Sequence, residues 1–247
     1  MGSANQVDPL TRQPEAGVSA AGLSPMDPPE AYAPPALDRV PLEELHPFLR
    51  HLSEDHSRLA EELARIDEVI LACGRAGFTP GVAGGVAAYE VANEVDRELA
   101  RFIGFVEHEF IPHSRHEEQA LFPLLRKRLI AAGEHGKGRE PKTSVDVMQD
   151  DHVKAIQLAA VVLNFLRLAP HLPDDRSRLI LRDAALRHAK SLVEHLRLHM
   201  FREDSIVFVS AHRLISGVEL DGVWCKTEAR DMSRRVSEQG SEQGSGT

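Results

Sequence analysis

One group of residues that occurs twice constrains this chain more than any other feature. The first half carries Asp55-His56 and later His113 with Glu117; the second carries Asp151-His152 and later His199 with Glu203. The later windows coincide at histidine, glutamate and phenylalanine (His113, Glu117, Phe122 against His199, Glu203, Phe208), and each glutamate is followed by an acid, Glu118 or Asp204. On a helix, a histidine and a glutamate four residues apart share one face, with β-carbons roughly 5–6 Å apart. Two such pairs and one further histidine per half would bring four imidazoles and two carboxylates together. That is the inventory of a dinuclear metal site inside a helical bundle.

The segments around these residues carry apolar side chains in steps of three and four, the mark of a bundle helix. The spacing predicts helices over about 43–72, 89–131, 144–168 and 175–211. In the first, His56 falls on the stripe of Leu45, Leu49, Leu52, Leu59, Leu63 and Ile66; in the second, Glu109, His113 and Glu117 interrupt it in consecutive turns. In the third, His152 lies between Met148 and Ala155, and in the fourth His195, His199 and Glu203 follow Leu192. Breakers separate them: a Gly-rich stretch from Gly74 to Gly85, another from Gly133 to Pro141, and Ala169 to Pro173. The simplest arrangement is all-α, an antiparallel up-down-up-down four-helix bundle over 41–212. One feature strains it: His56 lies about 16 residues before the end of its segment and His113 about 24 after the start of the next. At about 1.5 Å per residue the facing donors would be mismatched by roughly 12 Å.

Residues 1–40 are rich in Pro, Ala, Gly and Ser without helical periodicity and read as a disordered arm. Residues 213–247 form a C-terminal extension whose last part, from Ser237, is low in complexity and reads as disordered. A formal net charge of −9 argues against nucleic acid as a partner. No apolar run approaches the roughly 20 residues of a membrane span, and the start lacks a basic region followed by an apolar stretch. Only two cysteines, Cys73 and Cys225, are present, without a CxxC pair, so a reducing, cytoplasmic setting is expected and thiolate-bound metals are not.

A single histidine on an apolar stripe is most simply a core residue with satisfied ring nitrogens. Six polar or ionisable groups on inward stripes are different, because burying each costs several kcal/mol unless something compensates it. Two divalent cations would neutralise the carboxylates and accept the imidazole lone pairs together. Imidazole and carboxylate without thiolate suit iron, with manganese or zinc as lesser alternatives.

The pattern His…HxxxE…His…HxxxE, with Leu-Phe-Pro after Glu117, resembles the hemerythrin-like family, the HHE cation-binding domain, over roughly 45–212. The resemblance implies an antiparallel four-helix bundle around two iron ions, with His56, His113, Glu117, His152, His199 and Glu203 as ligands and the two glutamates as bridges. An oxo or hydroxo bridge would complete the pair. The family's oxygen carriers have paired histidines on the third helix and an aspartate on the fourth. This chain has His152 alone and Glu203, and so resembles the broader HHE group. Members that repair iron–sulfur clusters carry an N-terminal cysteine segment, and this arm has no cysteine.

The expected role is a non-haem di-iron protein that binds or reacts with dioxygen, nitric oxide or peroxide, an enzyme if it turns them over. The alternatives are a gas- or iron-responsive sensor and an iron storage or delivery protein, including one for iron–sulfur repair. Any protein partner or electron donor is unknown. His195 and Glu109 lie one turn before ligand histidines, as a fifth donor or as groups adjoining the site. Asp55 and Asp151 precede ligands and either orient an imidazole or face solvent. Glu118 and Asp204 read as solvated acids, and Phe122 and Phe208 as core packing that keeps the site dry.

Overall fold

A computed structural model describes residues 40–75 and 86–227 of the chain, the backbone alone for 74–75 and 86–93. Among the described residues the structure is all-helical, without a strand. The expected N-terminal arm lies outside them except at Val40, as do most of the Gly-rich first connection and residues 228–247 of the C-terminal extension. Four rods carry the fold. The first is α1, Pro47–Arg75, preceded by a 3-10 turn at Leu42–Glu44. The second joins α2 (Val86–Phe105), α3 (Ile111–His116) and α4 (Phe122–Ala131) through two π-helical turns, Val106–Phe110 and Glu117–Leu121. The third is α5, Ser144–Leu168. The fourth joins α6 (Asp175–Arg202) and α7 (Phe208–Leu214) through a π turn at Glu203–Val207.

Local chemistry sets the ends. α4 stops at Gly133, whose φ of 81° is open to glycine, and Glu134 N–H reaches Leu129 O at 2.9 Å while Gly133 N–H reaches Ile130 O at 3.1 Å. This is a Schellman closure, with the last carbonyls satisfied by the turning chain. α5 begins with Thr143 N–H donating to Asp146 Oδ2 at 2.7 Å, and α6 with Ser177 N–H donating to Asp174 Oδ1 at 2.9 Å. Pro112 and Pro123 sit in the first turns of α3 and α4, each just after a π turn. Proline donates no backbone hydrogen bond, and a widened turn before it absorbs the missing one.

Apolar side chains fall into two clusters along the rods. One gathers Leu59, Leu63, Ile66, Leu99, Phe102, Val162, Leu192 and Leu196. The other gathers Phe48, Leu49, Leu52, Leu125, Val145, Met148, Phe208 and Ala211. Residues beyond 212 join the second cluster: a further helix, α8, over 217–227 buries Leu220 and lays Trp224 against Phe48. His46 donates Nε2–H to Asp221 at 3.2 Å and Arg128 pairs with Glu219, so the start of α1 and α4 both hold α8. His56, on α1 between Leu52 and Leu59, marks where one cluster gives way to the other.

Candidate metal centre

The structure brings the six repeated residues together. Single donor atoms of Glu117, His152, His199 and Glu203 all lie within 4.8 Å of one another, and so do those of His56, His113 and Glu203. All six side chains are buried, the two glutamates completely. Each carboxylate divides its oxygens between the two groups. Glu203 Oε2 is 3.1 Å from His56 Nε2, while its Oε1 is 3.2 Å from His199 Nε2 and 3.8 Å from His152 Nε2. Glu117 Oε1 is 3.7 Å from His113 Nε2, and its Oε2 is 3.4 Å from His152 Nε2. The π turns start at these two glutamates, so the residues five further on, Phe122 and Phe208, return to the inner face and are buried with them.

Three imidazoles are fixed from outside by acids that can only accept. His56 donates Nδ1–H to Asp204 Oδ1 at 3.0 Å, His152 donates Nδ1–H to Glu118 Oε1 at 2.8 Å, and His113 donates Nδ1–H to Asp55 Oδ2 at 3.3 Å. With the proton on Nδ1 held from outside, each ring turns its Nε2 inward, where it can offer a lone pair to a cation. Glu118 and Asp204 remain partly solvated, about two-fifths exposed, but they do more than the solvated acids expected from sequence. Each reaches across to a histidine on another rod, and the acid repeated after each glutamate was the sequence signal for it. Asp55 orients an imidazole, one of the two roles open to it, with its other oxygen held by Arg58 at 2.6 Å. Asp151 takes a different part: Arg202 Nη1 donates to its Oδ2 at 2.6 Å, and His195 Nε2 donates to its backbone carbonyl at 2.8 Å. His195 is thus turned away from the gathered donors. Glu109 is half exposed, 3.9 Å from Arg58, and also stands outside them.

Inside the ring of donors, polar atoms are left over. Both oxygens of Glu117 and of Glu203, Nε2 of His152 and both ring nitrogens of His199 are buried without a hydrogen-bond partner. Nε2 of His56 faces Nε2 of His113 at 3.2 Å, two lone pairs opposed unless a proton or cation intervenes. Such groups are costly to bury uncompensated. A pair of cations would satisfy all of them except His199 Nδ1, which lies on the far side of its ring, so the residues fit the group that the donor set implies.

The electrostatics of the cation-free site point the same way. Burial lowers the His56 imidazolium, but Asp204 and Glu203 outweigh it and carry it up to about 10. His152, also opposed by burial, is raised to about 11 by Glu117 and Glu203. Burial drives His199 well below its ordinary value. Burial, reinforced by the charge of Glu203, raises Glu117. Glu203 is held well below the usual carboxylate range, burial being overcome by His199, His152 and His56. Asp55, resisting burial through His113 and Arg58, falls to about 2. Protons on buried imidazoles stand where cations would.

Aromatic rings close the site. Phe208 stacks on His56 at 5.5 Å and Phe122 on His152 at 5.8 Å, as the sequence repeat leads one to expect. Phe110 lies edge-on to His152 and His199. A pocket beside the first half-site is lined by Asp55, His56, Arg58, Leu59, Phe105, Glu109, Phe110 and His113.

No curated protein and no solved structure matches the chain. A family model does: the Hemerythrin HHE cation binding domain matches residues 47–211. The match spans all six gathered residues and the three acids that hold an imidazole on another rod, and the chain belongs to the hemerythrin HHE cation-binding family.

Proposed function

We propose that the six gathered residues bind two iron ions, one between His56 and His113 and one between His152 and His199, bridged by Glu117 and Glu203. The single observation that carries this reading is that each buried carboxylate turns one oxygen to each pair of imidazoles. Donors of nitrogen and oxygen without thiolate favour iron, with manganese and zinc as lesser fits. In this reading the rods form an antiparallel up-down-up-down four-helix bundle, which the cross-contacts of Asp151 with His195 and Arg202, and of Phe165 with His188, favour.

The protein then binds or turns over a small diatomic molecule or peroxide in a reducing cytoplasm. An iron pair supplies electrons and open coordination positions for that chemistry. The chain's own residues do the rest. Asp204, Glu118 and Asp55 keep three Nε2 lone pairs aimed inward, Phe208 and Phe122 shield rings from water, and the pocket at Leu59, Phe105 and Phe110 gives a small molecule a path to His56 and His113. A storage or delivery role asks for donors that let metal go readily. Burial of all six residues disfavours it. The test is to purify the protein anaerobically with iron and follow its absorption after adding dioxygen, nitric oxide or peroxide in turn. Catalytic turnover supports an enzyme, a stable reversible adduct supports a carrier or sensor, and an unchanged spectrum with all three contradicts the proposal.

A further inference from the structure

Helix α5 serves the core with one face and presents an apolar stripe on its flank. Val153 is 53% and Ile156 43% exposed, Ala160 is exposed and Leu163 half-buried. Their spacing of three, four and three is that of the a and d positions along a two-helix seam. By length and composition Ser144–His171 is apolar enough to cross a membrane, yet only 22% of its most apolar 18-residue window is buried. The uninterrupted-run reading missed this because Lys154 and Arg167 punctuate the stretch. A bilayer is a poor occupant. The same helix buries Met148, His152, Ala155, Ala159 and Val162 among the other rods, and Asp150, Gln157 and Asn164 are interleaved with the exposed apolar residues.

We propose that a second copy of this chain covers the stripe, with two α5 helices packed antiparallel about a twofold axis between Ile156 and Ala160. That register sets Ile156 against Ala160 of the second copy, large against small, and Val153 against Leu163 in the next layer. Charge agrees with it. Asp150 and Arg167 make no ion pair among the described residues, and the antiparallel register brings each beside the other's counterpart in the second copy, twice by symmetry. A parallel seam would instead oppose Lys154 to Lys154 and Arg167 to Arg167, like charges at close range. The contact is isologous, so it closes at two chains and does not propagate.

Sedimentation velocity on the full chain at micromolar concentration tests this, without reference to metal. The expected species has twice the 27.3 kDa chain mass. Ile156→Glu and Ala160→Glu should each give a monomer while circular dichroism and metal content stay as in the parent. Asp150→Arg and Arg167→Asp should each weaken the dimer by roughly tenfold, since symmetry counts each change twice, and the double variant should recover it. A parent monomer, whether or not it pellets with phosphatidylcholine vesicles, overturns the proposal. So does a dimer that survives both glutamate variants. Single charge reversals that the double variant fails to rescue overturn the antiparallel register.

Discussion

The two halves of the candidate metal centre have the same donors but not the same support. In the first, His56 is held by Asp204 and His113 by Asp55. In the second, His152 is held by Glu118 in the equivalent way, but His199 Nδ1 has no partner. The aspartate that corresponds to Asp55 is Asp151, and Arg202 takes it. The first half has His116 where the second has Arg202, and Glu109 where the second has His195, which also turns to Asp151. Phe110 adds to the difference, since its edge closes over both imidazoles of the second half while it walls the pocket beside the first. The two differing positions thus leave one half with both imidazoles oriented and the other with a freer imidazole, and Phe110 covers that second half. An identical ligand set does not make identical metals, because the neighbours decide orientation and access.

The largest effect expected is on what joins the halves. Glu203→Ala should take bound metal from two ions per chain to well under one, measured by elemental analysis, because both groups of donors share this residue. Glu117→Ala should also fall sharply, while His46→Ala, far from the centre at the start of α1, should keep two. A glutamate variant that retains both ions would show the halves to be independent.

Metal uptake should strengthen steeply with pH. Without metal, His56 and His152 keep protons up to about 10 and about 11, so loading at neutral pH must release them. Two coupled protons give an upper limit of about 100-fold in affinity per pH unit. Calorimetry in buffers of different ionisation enthalpy reads the proton count, and no release at pH 7 would contradict the protonated, metal-free site. The sign for the metal-free fold is opposite. Raised imidazolium values contribute stability that is complete below the unfolded value of 6.5 and is lost as pH passes the folded values. The metal-free protein should therefore lose thermal stability toward pH 10–11.

Asp204→Asn and Glu118→Gln are the matched pair. Each should lower affinity at its own half by about 10–100-fold, and by similar amounts. Asp55→Asn and Asp151→Asn are the unmatched pair, with the smallest effect. The first should loosen metal at the His56–His113 half by about tenfold. The second should leave affinity nearly unchanged and instead cost about 1–3 kcal/mol of stability in chemical denaturation, because Arg202 loses its buried partner. Equal effects on affinity would erase the asymmetry.

Much of this was readable from residue order, and the failures have physical causes. Apolar spacing located the third rod over the same residues, Ser144–Leu168, because its periodicity is unbroken. The π turns were hidden, since one extra residue per turn shifts the phase without changing composition. The interval of five from Glu117 to Phe122 and from Glu203 to Phe208 was their trace. The register mismatch has a related origin. Sixteen residues separate His152 from Leu168 and twenty-four separate Asp175 from His199. The 3-10 turn Ala169–His171 lengthens the third rod, and helical side chains lean toward their own N-terminus. In helices of opposite direction, donors at one level thus come from α-carbons at different levels. Asp55 and Asp151 looked equivalent because each precedes a ligand. Their divergence depends on Arg202 from another rod, and no local pattern shows it.

Anomalous X-ray scattering at the iron edge, on crystals of the iron-loaded protein, tests the central claim most directly. The account predicts two peaks per chain, one within bonding distance of His56 and His113 and one within bonding distance of His152 and His199, with Glu117 and Glu203 touching both. A single peak, or peaks that leave either glutamate on one ion alone, would contradict it.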